Sequence, residues 1–282
     1  LALAGSASAV TGCRKHPGAA FTEIAEARQL AADLRVQFTR AADASNRAVM
    51  ADTDEASEVF AHEAERTIET VQSDVASLSS HLRDLDYPTE LQVLDEFKTK
   101  FAEYLKLDHV VLKLAVENTN LKAQRLSFGP AREAADGFQN ALEALGPRST
   151  DHCRFDALVS KAVLAVRDIQ VLLAPHIAEA DDAAMTRMEA EMADRETTAS
   201  DALEAIPALV DPAAGSQIAK ASASFERFKD VSHRIVALSR RNTNVRSLAL
   251  SLREKPVLTA ACDDSLHSLE TALAKERFSA TR

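Results

Sequence analysis

Breakers are so sparse in this chain that the stretches between them are too long for strands or for ordinary globular helices. They cluster at Tyr87-Pro88, at Gly146-Pro147, and from Ile206-Pro207 through Pro212 to Gly215. The four segments they leave hold roughly 55–65 residues each, against about 8–20 for a common helix. With 7 Gly and 8 Pro in 282 residues, the turns that a sandwich or barrel requires are missing. Aromatic residues make up 5% and Trp is absent, so the β-forming residues are scarce as well.

Apolar residues recur at helical spacing inside the segments. Ile24, Ala27, Ala31, Leu34, Phe38 and Ala41 step by three and four, and Ala64, Ile68, Val71, Val75, Leu78 and Leu82 resume the pattern. A change of phase lies between them, near 50–54. Leu107, Val111, Leu114, Leu121 and Phe128 mark a seam in the second segment, and Val231, Ile235, Leu238, Val245 and Leu252 one in the fourth. Such stripes are buried against neighbouring helices.

The second and fourth segments also repeat one another at an offset of 124 residues. Phe101 matches Phe225, Tyr104 matches Phe228, His109 matches His233, and Asn118-Thr119-Asn120 matches Asn242-Thr243-Asn244. Each copy then meets a proline, Pro130 or Pro256, that kinks or restarts its helix. The sequence therefore predicts an all-α protein: an elongated antiparallel four-helix bundle built from two duplicated long helical hairpins, 21–147 and 148–282, packed as one bundle.

The chain is acidic, with a net charge of −10 and no basic stripe, which disfavours nucleic-acid binding. No apolar run reaches the ~18–20 residues that span a bilayer. Residues 1–12 read as the remnant of a lipoprotein signal peptide, and Val10-Thr11-Gly12-Cys13 resembles a bacterial lipobox. That resemblance implies lipidation at Cys13, a linker over 13–20, and a periplasmic body tethered to a membrane, the outer one if the cell has one. Cys153 and Cys262 fall out of register on the helix map, so no disulfide is expected between them.

Asn118 and Asn242 sit in register with the apolar seams, where an amide is costly unless it is paired. Two readings follow. In one, the asparagines face each other and set helix register, as a single seam Asn does in coiled coils. In the other, a polar belt of Asn118, Thr119, Lys122, Arg125, Asn242, Thr243 and Arg246 binds a small polar molecule such as a carboxylate.

Residues 101–131, FAEYLKLDHVVLKLAVENTNLKAQRLSFGPA, resemble the four-helix-bundle ligand-binding region of bacterial methyl-accepting chemotaxis receptors. So do residues 35–57, and SRRNTNVRSLALSLREKP in the fourth segment looks like a second version of the motif. The resemblance implies an extracytoplasmic sensory domain that binds small molecules between helices. The flanking membrane helices and the cytoplasmic signalling module of those receptors have no counterpart in the sequence.

No Gly-rich phosphate loop, GxSxG elbow or other catalytic constellation is found, so a non-enzymatic role without a cofactor is expected. Zinc spacing is absent and Asp52-Thr53-Asp54-Glu55 lacks the spacing of a calcium loop. Two alternatives to the sensory reading stand. One is a structural or interaction lipoprotein that docks a partner protein. The other is a haem- or metal-binding bundle using the repeated pair His109 and His233. Pairing of two identical chains is left open.

Overall fold

A computed structural model describes residues 17–146 and 152–276, with side chains from residue 22 onward. Among them every regular element is helical. The helices are α1 (Pro17–Met50), α2 (Asp54–Asp84), α3 (Pro88–Glu117), α4 (Thr119–Leu126), α5 (Arg132–Glu143), α6 (His152–Ala178), α7 (Asp182–Ala205), α8 (Gly215–Arg241), α9 (Thr243–Arg253) and α10 (Lys255–Lys275). None of the described helices is long and apolar enough to cross a membrane.

Local chemistry explains where they start and stop. Thr53 caps α2, its Oγ1 accepting from Ala56 N at 3.1 Å, and Asp54 and Glu55 follow in the first turn, where acids oppose the helix dipole favourably. Asp181 caps α7 in the same way, through Ala184 N at 2.7 Å. The end of α2 is a Schellman turn: Asp86 takes a left-handed φ of 58°, Tyr87 N–H reaches Leu82 O, and Asp86 N–H reaches Arg83 O. Pro88 then opens α3, at the one helical position where a missing N–H costs nothing. At Pro130 the segment passes through a π turn, Ser127–Ala131, between α4 and α5.

The described residues group into two compact units. The first holds 17–46, 60–108 and 253–276; the second holds 47–59, 109–146 and 152–252. At Glu254 the fourth segment breaks, and its last helix belongs to the first unit. There Arg35 pairs with Asp263 and Glu270 of α10, Arg28 donates to Leu273 O, and Lys100 donates to Ser265.

In the first unit, stretches of α1, α2, α3 and α10 alternate in direction around one core. Phe38 meets Phe97, Phe101 and Tyr104 edge-on at 5.1–6.0 Å, while Phe97 stacks on Phe101 at 5.3 Å. The second unit repeats the plan with α6, α7, α8 and α5, centred on Phe138 and Phe225 at 5.3 Å. The stripe read from Ile24 to Ala41 is buried throughout. The two later seams drift: Phe128 and Leu252, expected inward, are 71% and 69% exposed. Each lies beyond a break in its helix, and a residue in left-handed conformation or a π turn rotates everything after it around the axis.

Candidate functional site

The site grows from two helix breaks in the second unit. Asn118 (φ 49°, ψ 40°) ends α3 and Asn242 (φ 54°, ψ 37°) ends α8, both in the left-handed region that Asn tolerates best among residues with a Cβ. Each asparagine carbonyl at once starts the next helix, accepting from Lys122 N or Arg246 N at 3.0 Å. A restarted helix exposes its first N–H groups. Here each copy satisfies the other's. Thr119 N–H donates to Thr243 Oγ1 at 3.0 Å and Thr243 N–H to Thr119 Oγ1 at 3.2 Å. Asn120 N–H donates to Asn244 Oδ1 and Asn244 N–H to Asn120 Oδ1, both at 3.1 Å. The repeat seen in the sequence is thus a local two-fold of reciprocal caps. Asn118, Thr119, Asn120, Asn242 and Thr243 are all at most 6% exposed.

The side-chain amides extend the network unequally. Asn244 Nδ2 donates to Asn118 Oδ1 at 2.7 Å and Asn120 Nδ2 to Asn242 Oδ1 at 2.8 Å. Carbonyls at and just beyond the end of α6 are taken up by Ser239 and by two of these amides. Ser239 Oγ donates to His176 O (2.8 Å), Asn120 Nδ2 to Ile177 O (2.6 Å) and Asn242 Nδ2 to Glu179 O (2.7 Å). The counterpart of that last donor, Asn118 Nδ2, is buried with no acceptor.

The belt continues into a charged corner. Ser239 spends its hydrogen on His176 O, so His176 Nδ1 donates to Ser239 Oγ at 2.8 Å, while Nε2 faces Glu189 Oε1 at 2.9 Å. Arg240 holds both oxygens of Glu189, at 2.5 and 2.9 Å. Those hydrogen bonds keep the carboxyl below the ordinary carboxylate range, against the opposing pull of burial.

The structure therefore gathers Asn118, Thr119, Asn242 and Thr243 as the sequence suggests, and leaves the three cations at the margin. Lys122 is half-buried and donates to Glu117 O at 2.9 Å. Arg125 is exposed and pairs with Asp54 at 2.8 Å, and Arg246 is exposed. Asn120 and Asn244 belong to the network and were legible as the third letter of the repeated Asn-Thr-Asn. His176 and Ser239 had no such signal. His109 and His233 are both exposed, the latter paired with Glu196. Among the described residues no three His, Cys, Asp or Glu side chains gather to hold a metal ion. Cys13 lies outside the described residues.

A second buried polar set lies in the first unit. Lys255 Nζ sits 2.7 Å from Asp108 Oδ1 and bonds Ser45 Oγ, which itself donates to Asp108 Oδ1 at 2.6 Å. Tyr104 OH donates to the same oxygen at 3.3 Å. Lys255 and Asp108 are 2% and 1% exposed, and Asp108 Oδ2 has no partner. Burial pulls the Lys255 ammonium down from its usual pKa, with Asp108 pulling the other way, and pushes the Tyr104 phenol up.

No family model matches the chain, and no curated protein matches it in sequence. Among solved structures, the sensor domain of the histidine kinase TorS of V. parahaemolyticus shares the fold, with a TM-score of 0.58 and 11% identity. The likeness covers 90% of this chain and 99% of that one. At that identity it is a likeness of fold alone.

Proposed function

We propose that the protein is a non-enzymatic sensory domain of the cell envelope, held on the periplasmic side of a membrane by a lipid on Cys13. The observation that carries this reading is the fold shared almost end to end with a sensor domain. In this reading the polar belt is the responsive element. Its reciprocal caps hold four helix ends in one register, and packed helices have few alternative registers, so a small change there passes on as a helix displacement. The effector is a small polar molecule with a carboxylate or carbonyl oxygen. Such an oxygen supplies the acceptor that Asn118 Nδ2 lacks, and Lys122, Arg125 and Arg246 at the margin favour an anion.

The test is a thermal-shift screen of amino acids and organic acids on the full chain and on an Asn118→Leu/Asn242→Leu variant of matched helical content. At least one compound raises the melting temperature of the wild type and not of the variant. Stabilisation that survives the double change removes the belt as the binding site. A second reading, docking of a partner protein, is favoured by Phe128 and Leu252, which occupy equivalent positions of the repeat and are both largely exposed. Silence across the screen together with one stoichiometric partner in a pull-down, lost in Phe128→Ser/Leu252→Ser, selects that reading instead.

A further inference from the structure

A cleft of about 150 Å³ opens between α7 and α8 in the second unit, with Glu189 of the charged corner in its lining and none of the capping residues. Its apolar lining is Met192, Ala193 and Val236, and its polar lining is Glu189, Glu196, Ser232 and His233. Ser232 is 5% exposed and its hydroxyl has no hydrogen-bond partner. Burial sets it apart from the exposed hydroxyls of the same helix pair. Thr186 and Thr197 on α7 return their hydroxyls to the carbonyl four residues back, at 2.8 and 3.0 Å, whereas Ser232 does not. A buried hydroxyl without a partner is a standing cost that a ligand group removes.

The surrounding charges select the ligand. Two carboxylates flank the cleft, Glu189 occupied by Arg240, and Glu196 engaged by His233 through one oxygen at 3.0 Å. Lys229, which also feels the charge of Glu196, is held by Glu226 at 2.8 Å, so the free Glu196 oxygen still disfavours an anion. A quaternary ammonium has no N–H to give to the hydroxyl, and a neutral alcohol can give Glu196 one hydrogen bond but no ion pair. We propose that this cleft binds a small primary alkylammonium ion, with its nitrogen between Glu196 and Ser232 and its alkyl chain on Met192, Ala193 and Val236. The Ser232 oxygen is shielded from bulk water. Met192, unbranched and adaptable, is the side chain that shifts to admit the ligand. The proposal does not depend on the sensory reading, and either can fail alone.

The experiment is a titration of the full chain, followed by the methyl NMR signals of Met192 and Val236, with n-propylammonium, 1-propanol, tetramethylammonium and propionate at constant ionic strength. Propylammonium produces a saturable shift, about tenfold weaker in Glu196→Gln and about threefold weaker in Ser232→Ala, as expected for losing a charged and a neutral hydrogen bond. Circular dichroism confirms that both variants fold. Equal binding of propanol or tetramethylammonium, an unchanged affinity in Glu196→Gln, or no saturable shift by about 100 mM, beyond which affinity means little, each overturns the proposal.

Discussion

The two units share one plan and differ at one place in it. In the first, Tyr104, Asp108, Ser45 and Lys255 form a buried charged set. In the second, the 124-residue offset puts Phe228 and Ser232 at the positions of Tyr104 and Asp108. Ser45 pairs with Asp108 across 63 residues, as His176 pairs with Ser239, and the same spacing from Ser232 leads to Ile169, which is 2% exposed. At the same offset Lys255 falls on Ala131, which is fully buried. Phenol, carboxylate, hydroxyl and ammonium have become phenyl, hydroxyl, sec-butyl and methyl. The second unit carries no charged side chain at these four positions, so the plan does not need one there. The ion pair serves a narrower end. It ties the start of α10 to α1 and α3, and only one vertical placement of α10 satisfies it.

Breaking half of that set gives the largest effect. Lys255→Met leaves Asp108 buried with one oxygen already unpartnered, and costs about 3–5 kcal/mol by urea unfolding. Removing both charges sharpens the comparison. Asp108→Leu with Lys255→Met brings the first unit closer to the second; the Ser45 and Tyr104 hydroxyls lose their acceptor, at about 1 kcal/mol each, yet this pair is expected to be clearly more stable than Lys255→Met alone, because the desolvation of two ions is no longer borne. A double variant as unstable as the single one means that the charges hold the first unit together outright. Cys262, buried in that unit and with its thiol pushed up to about 12 by burial, reports the outcome independently. Its alkylation speeds up more in Lys255→Met than in the double variant, while the exposed Cys153 is the internal control.

The belt holds a smaller version of the same contrast. Asn242 and Asn118 share a conformation and a place in the repeat, yet Asn242 makes two side-chain hydrogen bonds and Asn118 one. Alanine at either position bears the left-handed backbone cost of about 1 kcal/mol. Adding about 1 kcal/mol per lost bond, Asn242→Ala costs about 3 and Asn118→Ala about 2. Hydrogen exchange separates them further. Loss of Asn242 frees Glu179 O and raises exchange across 179–185, whereas loss of Asn118 leaves the α1–α2 turn as it was. Equal effects at both turns refute the asymmetry of the belt.

What the sequence revealed follows from what is local. The stripe from Ile24 to Ala41 and the phase change near 50–54 are written in neighbouring residues, and each is found, while Pro130 marks a π turn. The repeat located both asparagines. It could not show that they break the helix, because Asn is compatible with helix, cap and left-handed turn alike, and tertiary partners decide among them. Phe128 and Leu252 were misplaced for the same reason: one unforeseen left-handed residue turns the helical wheel for everything beyond it. Lys255 and Asp108 left no trace at all. They are 147 residues apart in the chain, and a charged residue on a helix is ordinarily solvated, so only the packing of α10 on α1 and α3 reveals that these two are inside.

Asp86 extends the contrast among left-handed residues and carries the smallest effect. Asn118 and Asn242 use their side chains in the network, so glycine at either position relieves the backbone and forfeits the bonds. Asp86 also takes a positive φ, but the work of its turn is done by backbone bonds from Tyr87 and from Asp86 itself. Its carboxylate also sits at the negative end of the α2 dipole, which is mildly unfavourable. Asp86→Gly removes both penalties and gives up only glycine's extra freedom in the unfolded chain, so a gain of about 0.5–1 kcal/mol is expected in urea melts. The same change at Asn242 is expected to destabilise. If both positions respond with the same sign, the left-handed residues of this chain are set by backbone preference alone, and the belt's hydrogen bonds contribute nothing to choosing where its helices break.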